Sequence, residues 1–267
     1  MAAYAEIYWV QLKTQLAVQF QYRVAMLIWL IGMVIEPVMY LAVWSTVARY
    51  QGGEVGGFTA ADFVAYYLLM MLVNHATFTW IMWEYEYRVR DGTLSALLLR
   101  PIHPIHGDIA DNLAYKALTL TVLLPLALLL AWLFRASSQW QWWSLALFLP
   151  AVALAGAMRM LAEWTLAMAA FWTTRVNAIN QVYFVALYFF SGWIAPLDLF
   201  PQFVQQAAYL LPFRWIIYFP IELGLGRLSP QQALAGLAAQ VIWIGLLLLL
   251  LKLIWRAGVK RFSAVGA

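Results

Sequence analysis

Six long apolar blocks dominate the sequence and limit what the chain can fold into. A helix that crosses a bilayer core of about 30 Å needs roughly 20 apolar residues. Only 10% of the residues are charged, whereas an ordinary soluble domain has about 25%. The pattern predicts an all-α polytopic membrane protein, with one transmembrane domain over residues 1–267. Its six predicted transmembrane helices occupy residues 24–47, 62–83, 113–134, 145–172, 179–194 and 235–254.

The Lys and Arg residues of the connecting segments predict the orientation, because these residues are enriched on the cytoplasmic side of a membrane. Arg49, Arg135, Arg214 and Arg227 fall outside if the N-terminus is inside, and Arg159 lies within the fourth block. The other eleven of the sixteen Lys and Arg residues then fall inside: Lys13, Arg23, Arg88, Arg90, Arg100, Lys116, Arg175, Lys252, Arg256, Lys260 and Arg261. Both termini are therefore predicted to be cytoplasmic.

The first segment, residues 1–23, is too polar to be a span. It mixes apolar side chains such as Ile7, Leu16 and Phe20 with charged ones such as Lys13. This mixture favours an amphipathic helix that lies at the cytoplasmic interface. The alternative is an ordinary N-terminal extension of the first span.

A compact charged insert, EYRVRDGTLSALLLRPIHP at residues 86–104, separates the second and third blocks. Gly92 favours a turn that ends the preceding helix, and Thr93 is placed to cap a new one. Pro101 and Pro104 prevent that new helix from continuing. The insert therefore predicts a helix of one or two turns on the cytoplasmic side.

The short helix has one apolar ridge, because Leu94, Leu97 and Leu98 are spaced i, i+3 and i+4. Short amphipathic helices of this kind dock into grooves of partner proteins. If the helix docks, the three leucines are expected to face the partner and not the lipid. The residues alone also allow a loop helix that rests on the membrane surface with its leucines down.

Three segments carry a resemblance to a known family. The insert resembles the coupling segment of ABC type-two exporter permeases, in which an arginine, GTL, LL and a proline precede the third span. SGWIAPLDLFPQFVQQAAYLLPFRWIIYFP, residues 191–220, resembles the segment that follows the fifth span in that family. WRAGVKRFSAVGA, residues 255–267, is similar to the tail of one uncharacterised subgroup. Their order and spacing extend the resemblance over the whole chain.

The resemblance implies a permease subunit of an ATP-driven exporter in a bacterial inner membrane. It implies two copies of a separate ABC ATPase that bind ATP and Mg, a second permease chain that is identical or related, and contact with membrane lipid. The substrate would be drug-, lipid-, peptide- or glycan-like. The short helix becomes a coupling helix over residues 91–101, and the ATPase-coupling residues are Arg88, Arg90, Asp91, Gly92, Thr93, Leu94, Leu97, Leu98, Arg100 and Pro101.

Residues 196–220 follow the fifth block and are too apolar for a soluble loop, yet too rich in proline for a span. The sequence predicts re-entrant helices that dip into the outer leaflet, a backbone arrangement that protein or a water-lined cavity must satisfy. The segment is either a gate over the translocation path or a lid that only packs the bundle. The gate residues would be Trp193, Pro196, Pro201 and Pro212.

Polar side chains inside the spans are costly and usually face a partner or a cavity. Glu36, Asn74 and His75 lie within the first two blocks, and Arg159 and Glu163 are spaced i, i+4 in the fourth. These residues either line a substrate path or hold the helices together. No partner for Glu36 is evident from the sequence.

Other classes of function find little support in the residues. The chain lacks the GxxxxGK[ST] phosphate loop, so no ATP site, cofactor or catalytic residue is predicted within it. His103 and His106 have no third ligand nearby, and no metal site is predicted. The modest net charge of +4 does not indicate nucleic-acid binding. The alternative function is a stand-alone secondary carrier or an intramembrane enzyme, although neither an internal repeat nor a catalytic pair is evident.

Overall fold

The structure is a computed structural model that describes residues 2–137, 141–173 and 176–262. Arg175, which contributed to the predicted orientation, and the last residues of the predicted tail lie outside the described residues. The helices are α1 (Ala2–Gln21), α2 (Arg23–Tyr50), α3 (Ala60–Thr77), α4 (Ile81–Arg90), α5 (Leu94–Leu98), α6 (Ile105–Leu133), α7 (Trp142–Ala167), α8 (Val176–Phe190), α9 (Gln202–Leu210), α10 (Pro212–Ile216), α11 (Tyr218–Gly224) and α12 (Pro230–Val259), with short 3-10 turns at Met168–Phe171 and Leu197–Leu199.

The chain is a multi-pass helical membrane protein, as its apolar blocks predict. Among the described residues, five helical segments are long and apolar enough to cross a membrane: Arg23–Tyr50, Ala60–Arg90, Ile105–Leu133, Trp142–Phe171 and Pro230–Val259. The fifth predicted span, residues 179–194, corresponds to α8, which is apolar but has only 15 residues, so its crossing remains a prediction. The sequence prediction also missed a small antiparallel hairpin, in which β1 (Glu54–Val55) pairs with β2 (Phe58–Thr59) between α2 and α3.

The second predicted span, residues 62–83, is interrupted and is not one continuous helix. Helix α3 ends at Thr77, residues 78–80 are not helical, and α4 begins at Ile81. The Phe78 carbonyl instead accepts a hydrogen bond from Asn112 Nδ2 at 3.2 Å, and the Thr79 hydroxyl donates to Glu163 Oε2 at 2.6 Å. Side chains from α6 and α7 thus satisfy polar groups at the interruption, as buried polar groups require.

Helix α1 packs along the first half of α6. The Tyr8 hydroxyl and His106 Nδ1 share a hydrogen bond, and Gln19 Nε2 donates to Asp111 Oδ1 at 3.1 Å. The other side of α1 carries exposed apolar side chains, including Trp9 and Phe20. This arrangement agrees with the predicted N-terminal helix, whose position at the membrane interface remains a prediction.

The short helix of the charged insert is present. Gly92 has a φ of +73°, which favours glycine, and it separates α4 from α5. Thr93 precedes α5 as expected, but its hydroxyl does not cap the helix. It donates instead to the Arg88 carbonyl at 3.4 Å, so the predicted capping bond is wrong.

The segment after α8 folds back onto the bundle. The Gly192 carbonyl accepts a hydrogen bond from the Tyr66 hydroxyl, and the Ile194 carbonyl accepts one from the Tyr67 hydroxyl, both at 2.7 Å. Trp44 Nε1 also donates to the Ile194 carbonyl at 2.9 Å. Helix α2 and helix α3 therefore hold the start of this segment, and α11 is entirely buried against the bundle.

Candidate functional site

A buried polar cluster lies at the interruption between α3 and α4. Arg159 Nε and Glu163 Oε1 are 2.7 Å apart and both side chains are 0% exposed, so the pairing predicted from their i, i+4 spacing is confirmed. Arg159 Nη1 donates to Asn74 Oδ1 at 2.8 Å. On the other side, Glu163 accepts hydrogen bonds from Thr79 at 2.6 Å and from Tyr183 at 3.3 Å.

This Arg159–Glu163 cluster connects α3, α7 and α8 across the interrupted span. Each carboxylate oxygen of Glu163 has a hydrogen-bond donor, whereas Arg159 Nη2 has no partner among the described residues. A buried ion pair of this kind is suited to holding helices in register, because a desolvated charge is stable only with a close partner. The geometry favours the packing interpretation of Arg159 and Glu163, and a role in the path stays a prediction.

His75 and Glu36 have partners on other helices. His75 Nε2 lies 2.6 Å from Thr119 Oγ1 in α6, and Nδ1 lies 3.3 Å from Met33 Sδ in α2. Glu36 Oε1 accepts hydrogen bonds from the Tyr188 hydroxyl at 3.2 Å and from Trp193 Nε1 at 3.1 Å. The partners of Glu36 follow it by more than 150 positions in the chain, which is why the sequence does not reveal them.

We expect Glu36→Leu to lower the free energy of unfolding by roughly 1–3 kcal/mol, because Tyr188 and Trp193 would lose their acceptor. Glu36→Gln keeps an acceptor oxygen, so its free energy of unfolding should fall by less. Reversible unfolding of the purified variants in mixed detergent measures the difference. Transport by Glu36→Gln then separates the two roles: wild-type rates across substrates and pH would remove the Glu36 charge from the mechanism.

At the predicted cytoplasmic end, Asp108 joins three helices. Its Oδ1 lies 2.7 Å from Arg88 Nη1 in α4, and its Oδ2 accepts from Trp164 Nε1 in α7 at 2.8 Å. Arg88 also contacts Glu84 at 3.2 Å. Beyond α5, the His103 ring packs 4.4 Å from the Trp255 ring in α12. Burial, with a smaller effect of His106, lowers the pKa of His103.

Helix α5 turns Leu94 inward, so the expectation that Leu94 faces a partner is wrong, while that expectation for Leu97 and Leu98 stays a prediction. Leu94 is 0% exposed, and Leu97 and Leu98 are half-buried against the core. Leu99 instead is 87% exposed. The physical reason is that an apolar ridge packs against whichever apolar surface is available, here the chain's own bundle. The exposed residues of the insert are Tyr87, Arg90, Asp91, Thr93, Ala96, Leu99, Arg100 and Pro101.

The segment that follows α8 forms a polar contact of its own, between Tyr218 and Asp198. Trp193 and Pro196 are buried, Pro201 is exposed, and Pro212 is half-buried where it begins α10. The Tyr218 hydroxyl donates to Asp198 Oδ2 at 2.5 Å. These positions give the segment fixed internal contacts, and its role as gate or lid stays a prediction.

Glu222, in α11, is a buried carboxyl that sequence reasoning missed. Its Oε1 has no hydrogen-bond partner among the described residues. Burial raises the pKa of Glu222 to about 7, although Arg227 opposes this effect.

A cavity of about 590 Å³ opens beside the interruption. Its walls come from α1, α2, residues 78–83 and α6. Five of its lining residues are aromatic: Trp29, Phe78, Trp80, Trp83 and Tyr115. The other described residues of the lining are Gln19, Met33 and Asp111. We call this space the aromatic cavity.

Sequence reasoning missed Asp108, Asp111 and the aromatic cavity. A signal was present, because two carboxylates at i and i+3 in the first turns of a mostly apolar helix share one face. The interruption gave no such signal, since residues 77–81 contain neither proline nor glycine.

Comparison with known proteins places these features in a family. A family model described as "ABC-2 family transporter protein" matches residues 34–266. The matched region begins within α2 and includes every later helix, so it covers the interruption, α5 and the returning segment, but not α1. No curated protein matches the sequence.

Proposed function

Because the chain belongs to the family of ABC-2 transporter proteins, we propose that it is the permease subunit of an ATP-driven exporter. Membership in this family implies a transmembrane component that works with an ABC ATPase subunit. In the proposed assembly, two ATPase copies hold ATP and Mg, and this chain pairs with a second permease, identical or related. The assembly lies in a bacterial inner membrane with both termini of the permease in the cytoplasm. It moves a drug-, lipid-, peptide- or glycan-like substrate outward.

The placement of α5 carries the proposal. Leu94 anchors α5 in the bundle, while Leu99 and Arg100 are exposed on its outer side. Arg88 ties the preceding helix to Asp108 at 2.7 Å. A short helix that is fixed on one side and open on the other is suited to receive a force from a partner and pass it to the spans. The contact surface for the ATPase is accordingly the exposed side of residues 90–101, and not the leucine ridge.

The interruption explains how such a force would reach the membrane region. Helix α4 leads directly into α5, and residues 78–80 lack the regular helical geometry that would make α3 and α4 one rigid rod. Closure of the ATPase pair would move α5 and α4 together about this point. The spans would then open a path between two permeases, and residues 196–220 would act as its outer gate.

A double substitution on the exposed side of α5 tests the proposal. Leu99→Asp with Arg100→Glu should remove the ATP hydrolysis that co-elutes with the tagged full-length chain, because it places two negative charges on the contact surface. Tyr50→Asp is the matched control: Tyr50 is as exposed as Leu99, but it ends a 28-residue helix and so lies about 42 Å from the start of α2. We expect the control to keep the ATPase.

The stand-alone carrier remains the competing function. Transport by the purified chain in vesicles, with no ATPase and no ATP, would contradict the exporter assignment. Wild-type ATP hydrolysis by the α5 double variant would leave the subunit assignment intact and refute the assigned contact surface.

A further inference from the structure

The aromatic cavity has the size and position of a ligand site. Its volume of about 590 Å³ lies within the roughly 300–1,000 Å³ of pockets that hold drug-sized molecules. Asp111 lies about 9 Å along α6 from its first residue, Ile105, so the cavity is close to the predicted cytoplasmic surface. Trp29, on its rim, is 73% exposed on the outside of the bundle. A ligand can therefore reach the cavity from the inner leaflet.

The lining has the chemistry of a cation site. Aromatic faces attract cations through the negative potential of the ring face, and five of the lining side chains are aromatic. Among the described residues that line the cavity, Asp111 is the only charged one, and none is Lys, Arg or His. The lining therefore carries a net negative charge, which opposes an anionic occupant.

Asp111 forms no ion pair with any of the residues that the structure describes. Its Oδ1 accepts a hydrogen bond from Gln19 Nε2 at 3.1 Å, and Gln19 is neutral. Arg88 shares with Asp111 the lining of a neighbouring cavity of about 10 Å³, but its ion pairs are with Asp108 and Glu84. A carboxylate in a mostly apolar cavity is stabilised by an opposite charge, and an occupant can supply it.

We propose that the aromatic cavity binds an amphipathic organic cation, with Asp111 as the counter-charge and the rings of Trp29, Phe78 and Trp80 around the apolar body. The statement that the cation is cargo rests on the proposed function, whereas binding itself requires only this chain. Phe78 and Trp80 belong to the interruption between α3 and α4. An occupant therefore contacts the point about which α4 and α5 are proposed to move, which would couple cargo binding to the ATPase.

Equilibrium binding of tetraphenylphosphonium to the purified full-length chain, in detergent and in nanodiscs, tests the inference. Tetraphenylborate, an anion of the same shape, is the matched ligand, and empty nanodiscs correct for partitioning into lipid. We expect the cation to bind at least about tenfold more tightly than the anion. Asp111→Asn should weaken cation binding about tenfold, while an oxygen remains to accept from Gln19. Trp80→Ala should weaken it as well.

Two control variants make the result specific. Glu54→Gln removes an exposed carboxylate from the hairpin at the other end of the bundle, and Trp132→Ala removes an exposed ring near the end of α6; both should bind the cation like the wild type. Equal binding of the two ligands, or unchanged cation affinity in Asp111→Asn, would overturn the inference. Co-eluting ATPase without cation binding refutes only the cavity assignment. Asp111-dependent binding without any ATPase refutes only the exporter assignment.

Discussion

Glu163→Leu is expected to lower the free energy of unfolding by about 3–5 kcal/mol, because it leaves the Arg159 charge buried without its counter-charge. Both side chains are 0% exposed, so water cannot replace the lost carboxylate. Thr79, at the interruption, would lose its acceptor as well. Denaturant titration of the purified protein in mixed detergent measures the loss.

Glu54→Leu is the matched control, since Glu54 is exposed and forms no ion pair among the described residues; it should change the stability little. The double variant with Arg159→Met and Glu163→Leu should recover part of the loss, because an apolar pair of similar volume leaves no buried charge. A residual deficit of about 1–3 kcal/mol would remain from the unpaired Asn74 and Thr79. A loss below about 1 kcal/mol in the single variant would mean that water reaches Arg159.

Gly236→Ala is expected to destabilise the contact between α12 and α11 by about 1–3 kcal/mol. A Cβ atom at position 236 would lie 2.0 Å from Cε2 of Phe219, a distance that no carbon pair tolerates without movement. Phe219 is itself buried, so its ring has little space to move into. The variant should unfold at lower denaturant concentration, and protease should cleave the segment between α8 and α12 sooner.

Gly245→Ala serves as the control on the same helix, because a Cβ there meets nothing within 4 Å. It should leave the stability unchanged or raise it by up to about 1 kcal/mol, since alanine favours helix. Adding Phe219→Leu to Gly236→Ala removes the clashing ring and should restore part of the loss. An unchanged Gly236→Ala variant would show that the Phe219 ring can leave its position freely.

The two ends of the short helix α5 show how far sequence reasoning reaches. Gly92 and the prolines define where α5 lies, and the structure places the helix at Leu94–Leu98. Local backbone chemistry is enough to predict the position of α5, because a left-handed φ and a missing N–H act within a few residues. The direction of Leu94 could not be predicted from the sequence, because an apolar side chain at this position can pack against either the bundle or a partner.

The contacts of the buried polar groups also divide into those that the sequence predicts and those that it does not. Arg159 and Glu163 are one helical turn apart, so their ion pair followed from the sequence alone. The hydrogen-bond partners of Glu36 and His75 belong to other segments of the chain, and no local pattern indicates how close those segments lie.

The sequence by itself determined the class of protein, most of the spans and the position of the short helix α5 along the chain. These properties depend on apolar length, helical periodicity and backbone restrictions, all of which operate within some twenty residues. Only the tertiary structure decided the interruption after Thr77, the inward direction of Leu94 and the aromatic cavity beside Asp111. Each of these depends on hydrogen bonds or packing between helices far apart in the chain, such as Asn112 with Phe78, and those contacts exist only once the bundle has assembled.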